Sequence, residues 1–232
     1  MNLNDPSEFA YIAKEFGYNK NQIETYKRRT FLMSFCNAEL LKSDDILLMW
    51  QLYGQRGSGC IIEFEIEEYD VQLSNSYIAN VVYTKPDYSD FFKANDEFEN
   101  RNNRKTRLKE LIRIPACFHK KPIWKHEREI RLVYTEGYEE IASRTFNTNN
   151  PYGYDFTMSG NISNYYSLPL YSKSPYDPKL AIKRIQLGYN FSESRLKEIE
   201  DHLRYIFTGI QNKLGFEIDM PIVEISNLKE EL

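Results

Sequence analysis

The sequence predicts an α+β fold: a single domain with a mixed or mainly antiparallel sheet flanked by helices. Strand and helix signals follow one another without the regular β-α-β alternation of a doubly wound fold, and no linker-like stretch divides residues 1–232 into two cores. Composition adds a third observation. Tyr 18 and Phe 14 make up most of a 15% aromatic fraction, against a mean hydropathy of −0.61. Such a chain builds its core from amphipathic rings whose hydroxyls need partners, and its length allows a substantial core.

Asp5-Pro6-Ser7-Glu8 opens a helix over residues 5–17, with Pro near the first turn and Gly17 at its end. The β-branched and aromatic run Thr30 to Cys36 reads as a strand. Ser43-Asp44-Asp45 caps a helix through Ile46, Met49, Trp50 and Tyr53 that Gly54 stops. Gly54 to Gly59 is a glycine-rich turn, and Cys60 to Ile66 alternates as a strand. Ile78 to Thr84 is a further strand, ended by Lys85-Pro86. Phe91 to Ile114 is charged and favours helix. The segment after Pro122 reads as a strand running to Tyr134. Residues 142–178, rich in Asn, Ser, Tyr, Gly and Pro, form a loop-rich insertion of surface loops or a short hairpin. Leu180 to Leu187 is a strand closed by Gly188. Ser192 then caps a helix reaching Leu214, with Leu196, Ile199, Leu203 and Ile206 at helical spacing, and Ile222 to Ile225 is the last strand.

Several function classes drop out. With 30 basic against 34 acidic residues and a net charge of −4, nothing demands nucleic acid or an anionic membrane. The apolar run Ile46 to Trp50 is too short to span a bilayer. The start, Met-Asn-Leu-Asn-Asp-Pro, lacks the features of a signal peptide. Cys36, Cys60 and Cys117 are odd in number and widely spaced, which suits reduced thiols in a cytoplasm. No pair has metal-ligand spacing, so no metal is expected. Cys36 and Cys117 sit in apolar settings and read as core.

The richest stretch is Lys120 to Tyr134. Read as a strand, it puts Lys125, Glu127, Glu129 and Arg131 on one face, opposite Trp124, His126 and Ile130. A row of charges is costly unless it meets solvent or lines a polar cleft, so Glu127 and Glu129 are the acid/base candidates. Their Cα atoms would lie roughly 7 Å apart. Trp124 and Trp50 are expected to be buried. A second constellation is Trp50-Gln-Leu-Tyr53-Gly54-Gln-Arg56-Gly57-Ser-Gly59. Its glycines let a ligand approach the backbone, or serve a helix cap and a tight turn. The cluster Arg101 to Lys109 reads as a solvated helix face.

Asn4-Asp5-Pro6-x-Glu8, Ser34-Phe35-Cys36, Leu48-Met49-Trp50-x-x-Tyr53, Gly59-Cys60-Ile61-Ile62-x-Phe64, Val82-Tyr83, Lys121-x-x-Trp124-x-x-Glu127-x-Glu129-x-Arg131-Leu132 and Ile185-x-Leu187-Gly188 together resemble the prokaryotic family of unknown function DUF2971. In that family a strand and a helix normally precede the Asn-Asp-Pro motif, so the resemblance implies that this chain lacks them. Members usually carry Tyr or His where this chain has Gln55-Arg56-Gly57.

The arrangement is also loosely similar to ADP-ribosyltransferases. These combine a compact α+β fold, a polar or basic residue on the first strand, an aromatic-lined nicotinamide pocket and a Glu, often in Glu-x-Glu, on a late strand. The likeness implies an enzyme that cleaves NAD, in a prokaryotic defence or toxin role. Glu129 would stabilise the ribose centre or hold its hydroxyl, with Glu127 and Tyr53 completing the catalytic set. Trp50, Arg56, Gly57, Gly59 and Arg131 would bind the nucleotide, Trp50 walling the nicotinamide and the arginines meeting phosphate. The pocket would lie between the Tyr53–Gly59 turn and the Glu127–Arg131 face, and the acceptor would be protein or nucleic acid. The alternative is a non-catalytic nucleotide- or nucleic-acid-binding sensor. A third is a degenerate partner protein whose charged strand is structural.

Overall fold

The computed structural model describes residues 18–42, 44–66, 76–84, 87–103, 113–135, 152–156, 162–173 and 180–229. In chain order its main elements are α1 (Lys20–Arg28), β1 (Thr30–Cys36), α2 (Ile46–Leu52), β2 (Cys60–Ile66), β3 (Ser76–Asn80), α3 (Ser89–Asn102), α4 (Arg113–Ala116), β4 (Glu129–Thr135), β5 (Tyr152–Phe156), β6 (Ile162–Tyr166), β7 (Leu180–Leu187), α5 (Glu193–Leu214) and β8 (Ile222–Ile225). Short 3-10 turns cover Ala38–Lys42, Gln55–Gly57, Pro122–Glu127 and Asn227–Lys229. The fold is α+β, as expected. Its strands form two three-stranded sheets, β1-β4-β3 and β2-β7-β8, and the hairpin β5-β6.

The chain falls into two compact units, Met1–Asn37 with Asn75–Ser167, and Ala38–Ser74 with Leu168–Leu232. In the first, β4 is the centre of a fully antiparallel sheet, with Leu32 and Tyr77 both opposite Val133. That face carries the core. Val133 is packed with Tyr18, Ile23, Ala116, Cys117 and Phe118, and with the partly buried Tyr26, Leu32, Tyr77 and Ile114. Helix α1 supplies Ile23 and Tyr26. Its start is a capping box: Asn19 and Gln22 each accept the other's backbone N–H, at 2.9 and 3.0 Å. On the other face Tyr134 stacks on Tyr166 of the hairpin, their centroids 4.0 Å apart, with Phe31 beside both.

In the second unit β2 and β7 pair antiparallel with a bulge at Glu63/Phe64, and β8 joins β7 in parallel. A parallel neighbour needs a crossover, and α5 provides it. Ser192 caps α5 by accepting the Arg195 N–H, and Gly215 ends it in the left-handed region. Phe207 is the buried residue of α5, whereas Ile206 is exposed. The apolar stripe therefore runs Leu196, Ile199, Leu203, Phe207, one position round from the sequence expectation.

The strands Thr30–Cys36, Cys60–Ile66, Leu180–Leu187 and Ile222–Ile225 stand where the sequence put them. Four expectations change. The strand expected at Ile78 to Thr84 is Ser76–Asn80. The strand expected after Pro122 begins only at Glu129, because Pro122 opens a 3-10 turn that ends at Arg128 in the left-handed region. Trp124 rides on that turn and is only partly buried, unlike Trp50 at 1% exposure. Cys36 is exposed at the end of a sheet-edge strand, while Cys117 is core. The helix expected over residues 5–17 lies outside the described residues, as does much of the insertion. No described helix is long and apolar enough to cross a membrane.

Three glycines of the second unit, Gly54, Gly57 and Gly188, are packing positions. A Cβ at Gly54 would overlap the Trp50 ring, one at Gly57 (φ +82°) the Tyr189 ring, and one at Gly188 the Gly57 carbonyl. Gly209, inside α5, has nothing within 4 Å of its missing Cβ. Gly188→Ala is accordingly expected to destabilise by about 1–3 kcal/mol. Gly209→Ala should stabilise by about 0.8–1 kcal/mol. Urea titrations of the two variants check the pair, and equal effects would refute the packing account.

Candidate functional site

Val133, Arg131 and Glu129 alternate onto the core face of β4. The apolar row thus turns ionic toward the strand's head, where Arg131 lies opposite Ser34 and Ala79, and Glu129 opposite Cys36. The preceding 3-10 turn and the left-handed Arg128 (φ 43°) bring Glu127 to the same place. Lys120 arrives on a segment whose N–H donates to the Val82 carbonyl at 3.1 Å. Lys120, Glu127, Glu129 and Arg131 are all buried, at 8%, 4%, 4% and 2% exposure.

They form one network. Lys120 Nζ donates to Glu127 Oε2 at 2.5 Å and to Glu129 Oε2 at 3.1 Å. Arg131 Nε donates to Glu129 Oε1 at 2.6 Å and its Nη2 to Oε2 at 3.2 Å, a two-pronged grip. The Arg131 Nη1 donates to the Cys117 carbonyl at 2.6 Å. Ser34 Oγ donates to Glu129 Oε1 at 2.5 Å. The Glu129 N–H donates to the Tyr83 hydroxyl at 2.8 Å. Above the cluster the Lys120 ammonium lies 5.3 Å from the Trp124 ring centre.

Burial alone would push the Glu129 carboxyl up. The Arg131 donors and charge, the Ser34 hydroxyl and Lys120 outweigh it and hold the group below the usual carboxylate range. Cys36 is exposed as a residue, yet desolvation of its thiol and the charges of Glu127 and Glu129 push it up to about 11. It is therefore a thiol rather than a nucleophilic thiolate at neutral pH. Nearby, the Tyr88 hydroxyl and His119 Nε2 are 2.7 Å apart, and burial lowers the His119 pKa.

The sequence-predicted residues fall into two groups. Glu127, Glu129 and Arg131 come together in the first unit, but facing inward. Arg131, expected toward phosphate, is committed to Glu129 and a backbone carbonyl. Trp50, Tyr53, Arg56, Gly57 and Gly59 come together in the second unit, around a turn in which Gln55, Arg56 and Gly57 all have positive φ (50°, 54° and 82°). The N–H groups of Gly57, Ser58 and Gly59 donate to carbonyls of residues 54 and 55. Asn190 Nδ2 holds the Arg56 carbonyl at 2.9 Å. Trp50 is buried, meeting Tyr189 edge-on, whereas Tyr53 and Arg56 are exposed. Lys120, Ser34 and Tyr83 were not singled out as site residues. Ser34 and Tyr83 lie far from Glu129 in sequence and meet it only in the fold, whereas Lys120, nearby in sequence, meets it because the 3-10 turn folds the chain back. Among the described residues no group of three His, Cys, Asp or Glu side chains could hold a metal ion.

The model of a family described as a protein of unknown function (DUF2971) matches residues 49–132, a stretch that contains Tyr83, Lys120, Glu127, Glu129 and Arg131. Over that stretch it bears out the resemblance read from the sequence. No curated protein and no solved structure is significantly similar to the chain.

Lys120→Ala leaves two buried carboxylates short of a partner, which is expected to cost about 3–5 kcal/mol in a urea titration. Acid should weaken the fold in two stages. His119 is depressed below 6.5, so its contribution is full above that value and fades as pH falls through the folded pKa. Glu129 is depressed below 4.5, so its contribution is lost only further down. A melting temperature that stays level from pH 7 to 3 would contradict both assignments.

Proposed function

We propose that this chain, whose residues 49–132 match the DUF2971 family, is an NAD-dependent ADP-ribosyltransferase-like enzyme of the cytoplasm, acting in prokaryotic defence or toxin action. The reaction breaks the bond between the ribose anomeric carbon and the nicotinamide nitrogen. Nicotinamide leaves with the electron pair, and water or a protein or nucleic-acid acceptor forms the new bond and releases a proton.

The observation that carries this reading is the state of Glu129. It closes a Glu-x-Glu at the head of a late strand and is anchored by Ser34 from the neighbouring strand. Its partners keep it ionised. Ser34 is exposed, so the carboxylate lies one hydrogen bond beneath the surface. Departure of nicotinamide leaves positive charge on the ribose, and a fixed, desolvated anion needs no reorganisation to meet it.

A second reading has its own support. The cluster pairs two carboxylates with two cations, and donors already surround both Glu129 oxygens. A scaffold, or a sensor that binds without reacting, fits that equally well.

Incubating the full chain with NAD separates the readings. The transferase should release nicotinamide, and Glu129→Gln, which keeps shape and removes charge, should reduce release by about 100-fold or more, in the range seen when one electrostatic stabiliser is removed. If the wild-type chain is folded yet neither releases nicotinamide nor binds NAD in a calorimetric titration, the transferase reading is lost. Binding without turnover would favour the sensor.

A further inference from the structure

Tyr83 lies within the stretch that matches the family model, yet the ion cluster leaves it without a role in the chemistry. Its placement is well defined. The Val81 N–H donates to the Glu129 carbonyl at 2.8 Å, the Val82 N–H to the Phe118 carbonyl at 2.7 Å, and Lys120 returns a bond to Val82 at 3.1 Å. The segment is thus fixed on both sides, and Tyr83 stands half-buried at the head of β4. Its hydroxyl accepts the Glu129 N–H at 2.8 Å, which fixes the phenolic oxygen and leaves the proton free to donate. Among the described residues that proton meets no protein acceptor. Desolvation, with the nearby carboxylates, raises the phenol's pKa, so the proton stays on at neutral pH.

Glu129 stands in the opposite condition. An ionised carboxylate offers about four lone-pair positions, and Ser34, Lys120 and the two Arg131 donors take them all. Glu129 can act on a ligand through its charge, but it has no position left to accept a hydrogen bond from a sugar hydroxyl. The hydroxyl must find its partner elsewhere, and Tyr83 is the nearby group with a donor to give.

We infer that Tyr83 is the substrate-positioning residue of this site, donating its O–H to a hydroxyl oxygen of the nicotinamide ribose while its own oxygen holds the backbone at Glu129. The inference rests on the NAD reading above and divides the work at the ribose: charge from Glu129, orientation from Tyr83.

The test compares the full wild-type chain with two variants. Tyr83→Phe removes the whole hydroxyl. O-methyltyrosine at position 83 keeps an oxygen that can accept the Glu129 N–H and removes only the donor, so it guards against a fold defect. Each protein is assayed for nicotinamide release from NAD and from NAD analogues lacking the 2′ or the 3′ hydroxyl of the nicotinamide ribose. Both variants should lose about 10-fold in kcat/KM on NAD, the worth of one hydrogen bond of ordinary strength. On one analogue that loss should disappear, because the hydroxyl that Tyr83 holds is already gone. An equal loss on all three substrates would make Tyr83 a structural residue, and no loss on NAD would remove it from the site. Either result, with an active wild type, overturns this inference alone. A wild type that neither binds nor cleaves NAD overturns it together with the reading beneath it.

Discussion

The two-pronged contact of Arg131 with Glu129 is the constraint on which the first unit depends. Arg131 sits in the middle of the central strand, between Ser34 and Ala79, where a neighbouring Val133 is wholly buried. A guanidinium there is tolerable only if its donors are matched, and Glu129 and the Cys117 carbonyl match them. Each further element follows from that need. Lys120 must come in to balance the second carboxylate, the chain must turn at Arg128 to deliver it, and Ser34 must stand across the ladder from Arg131. The apolar core and the ionic cluster are two ends of one row of side chains.

Much of the fold was legible because strands and long helices announce themselves by period. Thr30–Cys36, Cys60–Ile66, Leu180–Leu187 and the helix ended by Gly215 all combine a clear alternation or cap with a clear stop. The 3-10 turn at Pro122–Glu127 was not legible, and the reason is physical. Side chains two apart share a face in a strand, and Trp124, His126 and Glu127 carry no apolar rhythm that distinguishes a strand from a tight turn. Left-handed Arg128 is likewise invisible, since the residue that favours such a conformation is glycine. Helix α1 carried a signal that could have been used, the Asn19-x-x-Gln22 box, but its few apolar residues hid the period.

The candidate site was legible in part for the same reasons. Glu127, Glu129 and Arg131 are close in sequence and were found together. Ser34, Tyr83 and Lys120 reach Glu129 through strand pairing and backbone bridges, which no spacing rule encodes. Burial was the other surprise. A charged row suggested a cleft, whereas equal numbers of opposite charges allowed it to be withdrawn from water. The glycine turn differs: each close approach there is to a neighbour in the same unit, Trp50, Tyr189 or Gly54 itself.

Four buried charges are weak evidence of stability in themselves. A set of well-packed apolar side chains of similar volume would hold the head of β4 as well or better, by roughly 1–4 kcal/mol in systems where the exchange has been made. What apolar residues cannot do is fix one carboxylate, ionised, in a single orientation. The donors on Glu129 come from three directions, a strand partner, a residue two along its own strand, and a lysine from a separate segment. Each of them lowers the carboxyl's pKa. That degree of constraint suits a scaffold that fixes one arrangement of charges as well as a site that stabilises charge. The cluster's burial, which at first counts against a reactive role, is the condition under which a fixed charge acts most strongly on a neighbour.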